Sequence, residues 1–323
     1  MRIEQDHAEF MAGVRLGRTT GGPVVMVVPN NDSRLDNLKR TPPVRRPRPG
    51  HADLAGSIKW LTTDCRETLE RASARETAGR VAMGSLARCF LKELGIECFG
   101  FVRGALDIHA DFEVTHEALP ALREARDASD VYLPDVKATE AMCDAIRQAK
   151  KDKDTVGGFV EVHVFGCPPG LGSCIQWDTR LDSRIAGAVM GIQAFKAVEI
   201  GLGTECARRV GSEVHDPITH DASRVDEPHL GYVRPTNNAG GLEGGMTNGM
   251  PVVVRGTMKP ISTLLRGLPS VNLETRTPEN SQYERSDISA IAAASVVIEN
   301  VVGLEIARAV REKFGGDSMA EVK

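Results

Sequence analysis

In the stretch RRPRPGHADLAG, residues 45–56, one histidine, His51, stands two residues before Asp53 and follows Arg45, Arg46 and Arg48. Pro47, Pro49 and Gly50 punctuate the same stretch, which marks it as a tight, stiff turn. An imidazole beside a carboxylate on a rigid cationic turn suits three tasks. It can clamp a nucleic-acid backbone, ligate a metal, or handle protons beside a bound anion. The His-x-Asp spacing alone does not choose among them, although no second ligand cluster accompanies it and metal is the weakest reading.

Other segments have chemistry to offer. Arg71, Ser73 and Arg75 surround the start of a predicted helix, where free backbone N–H groups and two guanidinium groups would make an anion seat. Plain capping with salt bridges to Glu70 and Glu76 is the simpler account. TNNAGGLEGGMTNGMP, residues 236–251, carries paired glycines that would let backbone approach a flat ligand. No strand-to-helix switch surrounds it, so it is not a dinucleotide fingerprint. KPIST, Lys259 to Thr263, adds a cation and two hydroxyls. In ERSD, Arg285 and Asp287 precede an almost uncharged helical stretch, where Asp287 would be an N-cap or an ionised acid steadied by the helix dipole. Cationic, glycine-bracketed loops with one histidine and one aspartate suit a phosphate ester or a phosphorylated cofactor.

The elements that must hold these loops follow from periodicity. Residues 1–30 alternate and then run apolar, which predicts strand, turn, strand with TTGG as the turn. Residues 29–62 read as loop. Ser73 and Glu76 have capping-box spacing, Met83, Leu86, Ala87, Phe90, Leu91 and Leu94 recur helically, and Gly95 suits the C′ position. Strands are predicted in ECFGFVRGALDI, GGFVEVHVFGCPPGLG, AFKAVEIG and VVVRGTMKP. Helices are predicted in THEALPALREARDAS, DVKATEAMCDAIRQAKKDKD, DTRLDSRIAGAVMGIQ and residues 288–314. Strands and helices mix without a regular βαβ repeat, so the expected class is α+β. The chain reads as one domain over residues 1–323, with a ragged tail at 315–323 and a polar surface insertion at 203–236.

Composition narrows the partners. The 323 residues are 41% hydrophobic and carry a formal net charge of −4, with 4% aromatics. That balance argues against a nucleic-acid partner, despite the basic run Arg34, Lys39, Arg40, Arg45, Arg46 and Arg48 set against Asp32 and Asp36. The cysteines at 65, 89, 98, 143, 167, 174 and 206 form no C-x-x-C pair and read as reduced, mostly buried thiols of a cytoplasmic protein. No apolar run is long enough to span a bilayer.

Taken together, RPRPGHADLAG, ERASARETAGRVAMG, GCPPGLGS, AFKAVEIG, TNNAGGLEGGMTNG, KPIST and ERSD occur in the order and spacing of the chorismate synthases. The chain resembles the bacterial monofunctional members of that family from Arg2 to about Phe314. The resemblance implies a β-α-β sandwich of helices between antiparallel sheets, assembled as a homotetramer. It implies loss of phosphate from 5-enolpyruvylshikimate 3-phosphate by 1,4-elimination to give chorismate, with reduced FMN required, no net redox change, and NADPH as a candidate reductant. The matching positions assign Arg71, Ala72, Ser73, Gln193, Ala194, Gly244, Lys259, Pro260, Ile261, Ser262, Thr263 and Arg285 to the flavin. They assign His51 to protonating the reduced flavin, and Asp287 to taking the substrate's C6 proton; no metal is implied. The family also carries a preceding segment with a G-E-S-H-G motif, whose histidine serves the leaving phosphate, and arginines for substrate and NADPH. Met1 aligns with an interior position. The expectation is therefore a start codon placed too late or a truncated chain. The alternative is a catalytically impaired flavin- or phosphate-binding form.

Overall fold

The computed structural model describes residues 6–30 and 37–323. Arg34, Asp32 and Asp36 of the basic run, Arg2, and the first residues of the N-terminal strand reading lie outside the described residues. The chain begins with β1 (Glu9–Ala12), β2 (Val14–Arg15), β3 (Arg18–Thr19) and β4 (Val25–Val27), followed by α1 (Asp53–Trp60), α2 (Arg66–Arg71) and α3 (Thr77–Lys92). Then come β5 (Glu97–Ala105), β6 (Ile108–His109), α4 (Leu119–Ala128), α5 (Val136–Lys151), β7 (Gly158–Phe165), α6 (Leu181–Met190) and β8 (Phe195–Ile200). The polar stretch holds two 3₁₀ turns (Gly203–Arg208 and Ala222–Arg224), α7 (Gly211–Val214) and the short strands β9 (Thr219–His220) and β10 (Tyr232–Val233), and β11 (Leu242–Glu243) and β12 (Met246–Thr247) follow it. The chain closes with β13 (Val252–Met258), β14 (Pro269–Val271), β15 (Pro278–Asn280), α8 (Ile291–Lys313) and α9 (Met319–Val322).

The scaffold is an antiparallel sheet in the order β6-β5-β7-β13-β8. Alternation along β7 decides what each face does. Val160, Val162 and Val164 are fully buried toward the helices, while Glu161 and His163 point to the opposite face. α8 packs against β5 and β7, and α3 and α6 pack beside it. Its Ile291, Ile298, Val302 and Ile306 are almost wholly buried, as expected of a helix that is apolar nearly all round. α3 also touches β4, so the helix layer meets strands of two separate sheets. The α+β class of the sequence reading holds, and the strands outside the large sheet form two-stranded ladders.

Several local expectations change. The N-terminal hairpin reverses at Leu16 and Gly17, both at positive φ, between paired Arg15 and Arg18; TTGG is not the turn. Residues 53–60 of the expected loop are helical: two turns of helix run from the turn at Pro49 and Gly50 to Leu61, which closes them in the left-handed conformation. Ser73 accepts from the Arg75 N–H as N-cap of a single 3₁₀ turn. Its supposed capping-box partner Glu76 turns instead to Arg80, one helical turn on. Gly95, at φ +72, does close α3, with the Ile96 N–H reaching back to the Leu91 carbonyl. Residues 318–322 are not ragged: Ser318 and Glu321 form a capping box that starts α9. Cys65, Cys98 and Cys167 are buried, and burial pushes the Cys98 thiol up to about 12, but Cys89 and Cys174 are exposed.

Two features of this packing are testable. α3 and α8 cross closely at Gly84, where an added Cβ would lie 2.4 Å from the Asn300 carbonyl oxygen. Gly84→Val should lower stability by about 1–3 kcal/mol or more, read as a fall in the urea midpoint. Gly79→Ala, which meets nothing within 4 Å on the same helix, should raise it slightly. Equal shifts from the two would refute the close crossing.

The second feature is Glu161, 1% exposed beneath Arg103, Arg255 and His163. Burial would raise its carboxyl, but the His163 hydrogen bond and the charges of Arg103, His163 and Arg255 hold it at about 2. A depressed folded value means that the stabilisation is present above the ordinary glutamate range and is lost as pH falls toward 2. Glu161→Gln should therefore lower the urea midpoint at pH 7 and flatten its decline between about pH 4.5 and 2. Parallel acid profiles for the two proteins would show that the quartet adds nothing.

Candidate active site

The turn that carries His51 is determined by four residues. Arg48, Pro49, Gly50 and His51 form a β-turn closed by the His51 N–H to the Arg48 carbonyl at 3.2 Å. Proline second and a glycine at φ +79 third are the requirements of a type II turn. The turn brings the His51 imidazole beside Asp53, with Nδ1 2.5 Å from Oδ1. Asp53 is fully buried at the start of α1 and takes Arg48 Nε at 2.8 Å and the Arg48 backbone N–H at 3.0 Å on Oδ2. Burial by itself raises the Asp53 carboxyl, but hydrogen bonds from His51 and Arg48 outweigh it and hold it far below the ordinary carboxylate value.

The arginines around this turn pair with the protein's own carboxylates. Arg45 pairs with Glu274, Arg46 with Glu279 and Arg48 with Asp53. The backbone of the stretch is strapped to the loop 269–282 by Leu273 to Arg45, Ser270 to Pro47 and Gln282 to Arg46.

Sheet topology explains which other segments arrive here. In an antiparallel ladder the start of one strand lies beside the end of the next. Gly158 at the start of β7 and Phe195 at the start of β8 both pair with Met258 at the end of β13. The segments flanking those residues therefore converge. The Lys259 N–H donates to the Ala194 carbonyl at 2.9 Å, and the Thr155 hydroxyl donates to the Ile261 carbonyl at 2.7 Å. Lys259 Nζ donates to the Gly50 carbonyl, and Arg48 Nη1 donates to the Thr263 hydroxyl at 2.9 Å. KPIST thus sits directly on the His51 turn. Burial, followed by the neighbouring charge of Lys196, lowers the Lys259 ammonium from its ordinary value.

The remaining sequence-predicted residues join this cluster through intermediaries, with one exception. Gln193 donates to Glu76 at 2.6 Å, which ties the Gln193–Ala194 corner to the helix start carrying Arg71, Ala72 and Ser73. Arg71 lies 4.6 Å over the Trp60 ring at the end of α1. The loop bearing Arg285 and Asp287 is held by Arg66 on Glu284 at 2.9 Å and by the Val156 N–H on the Ile288 carbonyl. Asp287 is exposed and lies three residues before Ala290, the N-cap of α8, so it is not the cap. Gly244 is the exception. It occupies the tip between β11 and β12, and the Gly245 carbonyl accepts from the Leu181 N–H at the start of α6. Gln193 and Ala194 follow the opposite end of that helix, ten residues or about 15 Å away. Glu243 and Met246 beside Gly244 line a cleft of about 440 Å³ with His229, Tyr232 and Arg234.

Sequence reasoning missed Arg48 and Glu76 as parts of the site. Arg48 was visible only as one of several arginines, and Glu76 only as a capping acid. No helix among the described residues is long and apolar enough to cross a membrane.

Comparison with known proteins places this geometry among close relatives. The family model described as chorismate synthase matches residues 1–310. The chorismate synthase of Desulforudis audaxviator is 50% identical over 331 residues, covering all of this chain and 83% of the relative. Those of Desulforamulus reducens and Geobacter sulfurreducens are 48% identical, each over all of this chain and 84% of the relative. A chorismate synthase crystal structure superposes with a TM-score of 0.77 at 39% identity, covering 98% of this chain and 81% of that one.

Proposed function

The chain belongs to the chorismate synthase family, and from that premise we propose which of its residues carry the reaction. The reaction is the anti-1,4-elimination of phosphate from 5-enolpyruvylshikimate 3-phosphate to give chorismate. It is a carbon–oxygen lyase step of the shikimate pathway to aromatic amino acids, with no net redox change. The observation that carries the residue assignment is one contact chain. Residues 48–53, 193–194 and 259–263, far apart in sequence, meet through Lys259 to Gly50, Lys259 to Ala194 and Arg48 to Thr263.

The family works with a reduced flavin, and the residues here fit one. The Gln193 side-chain oxygen is buried without a hydrogen-bond partner, and a flavin ring N–H would be a fitting donor to it. Beside it Ala194 is held at φ +69, a strained conformation of the kind that marks ligand contacts. Above Gly50 the first atoms, Ser262 Cβ and Lys259 Nζ, stand 3.7 and 3.8 Å from where a Cβ would be. FMN is the flavin assigned here, held by Arg71, Ala72, Ser73, Gln193, Ala194, Lys259 to Thr263 and Arg285, with Gly244 assigned by family resemblance. Lys259 supplies the cation suited to a phosphate.

When bound, the reduced flavin supplies electron density to the substrate as phosphate leaves. The protein's own groups then handle protons. The ring nitrogen of His51 that does not face Asp53, Nε2, holds the proton presented to the flavin. The exposed Asp287 carboxylate accepts the proton from C6 of the substrate. NADPH is the proposed reductant and a homotetramer the proposed assembly, in the cytoplasm and without a nucleic-acid or membrane partner.

Anaerobic assay of phosphate and chorismate formation with reduced FMN tests the assignment. His51→Ala and Asp287→Asn should each lower kcat by about 10²–10⁴-fold with unchanged far-UV circular dichroism. Wild-type turnover by either variant would remove that residue from its role. A native mass of four 34.9 kDa chains is the expected outcome for the assembly.

A further inference from the structure

Asp53 has no solvent contact and no place in the proton steps assigned above, yet it receives more hydrogen bonds than a turn requires. An ionised carboxylate can only accept. Its Oδ2 takes Arg48 Nε at 2.8 Å and the Arg48 backbone N–H at 3.0 Å, and its Oδ1 takes Arg48 Nη2 at 3.1 Å and His51 Nδ1 at 2.5 Å. Hence Nδ1 carries a hydrogen. Arg48 Nη2 also stands 3.0 Å from Nδ1, but a guanidinium only donates, and Nδ1 cannot accept while it donates to Asp53. The shorter contact, with a full negative charge as acceptor, decides between the two.

We propose that Asp53 is a positioning residue that fixes the tautomer of His51, with Arg48 and Thr263 as the clamp that holds Asp53 in place. The proposal rests on the reading of His51 as the proton donor. In the neutral ring the one hydrogen stays on Nδ1, so Nε2 is bare and is the atom that gains and gives the transferable proton. The logic is that of a buried carboxylate orienting a catalytic imidazole. The assignment also changes the role of one residue in the flavin set. Thr263 is 5% exposed, and its hydroxyl accepts from Arg48 Nη1 at 2.9 Å. Its hydroxyl belongs to the clamp, and the link runs unbroken from KPIST through Arg48 and Asp53 to the imidazole.

The test is ¹⁵N NMR of histidine-labelled protein, with the His51 signals identified by their loss in His51→Gln. At a pH where the ring is neutral, wild type should show a protonated Nδ1 and a bare Nε2. Asp53→Asn can turn its amide N–H toward Nδ1, so that variant should show the reverse tautomer. Its kcat should fall by about 10²-fold or more, while KM for 5-enolpyruvylshikimate 3-phosphate changes by less than about threefold. A protonated Nε2 in wild type, or an unchanged tautomer in folded Asp53→Asn, would overturn the proposal. The wild-type spectrum decides even if the variant fails to fold. Full activity of His51→Ala would instead strike the proton-donor reading, and it would leave the tautomer result standing as a structural fact.

Discussion

A carboxylate with no water to meet it is the constraint on which the site depends. Removing an ionised group from water is unfavourable by several kcal/mol unless paired charges and hydrogen bonds replace the solvent. Among the described residues, Asp53 meets that condition through Arg48 and His51. Each contact demands a particular backbone. The type II turn at Pro49 and Gly50 brings the Arg48 N–H and the His51 ring to the same side, and the start of α1 places Asp53 where a helix favours negative charge. Arg48 then has Nη1 left over in a buried place, and Thr263 accepts from it. The position of the KPIST loop thus follows from the need to satisfy one guanidinium.

The sheet makes that arrangement possible by setting where the loops emerge. Met258 pairs with Gly158 on one side and, past a bulge, with Phe195 on the other. Residues 153–157, 193–194 and 259–263 therefore leave the sheet at the same end. The same ladder explains why Gly244 stands apart, since it precedes β13 and lies with the start of α6. Buried acids recur in the scaffold under the same rule. Glu161 sits under two arginines and a histidine, and Glu299 of α8 faces Arg88 at 2.8 Å. Burial nevertheless raises the Glu299 carboxyl above its ordinary value, because Arg88 and Arg126 do not fully offset the loss of water.

How much of this was legible in the sequence depends on the range of the interaction. The α+β class, β5, β7, β8 and β13, and α3 to α6 and α8, could be read from periodicity, because apolar residues recur along each at the spacing of its own secondary structure. α1 was missed because its two turns lie between proline- and glycine-rich segments and its Leu54 and Ile58 face solvent. The capping box failed because Arg80 and Gln193 compete for Glu76. One competitor is a helical turn away and the other lies more than a hundred residues on, beyond the reach of a local motif. His51 and Asp53 could be named as a pair, but Arg45, Arg46 and Arg48 were read as free cations. The partners of Arg45 and Arg46, Glu274 and Glu279, are more than two hundred residues away, and nothing in a basic run states that it is paired.

That pairing changes the character of the site. A stretch that reads as a phosphate clamp is, in the fold, a braced turn whose arginines hold carboxylates of α1 and of the loop 269–282. Of the three, Arg48 is the one held in a buried pair, with Asp53, while the pairs of Arg45 and Arg46 are partly exposed and individually weak. Other charges of the site include Arg71 over the Trp60 ring, the Lys259 ammonium, lowered by burial and by Lys196, and the exposed Asp287 carboxylate. The arginines supply rigidity, so the imidazole is oriented before any ligand arrives. The proposed proton transfer needs a defined ring nitrogen, and the pairing of His51 with Asp53, itself held by Arg48, is an arrangement that can provide one.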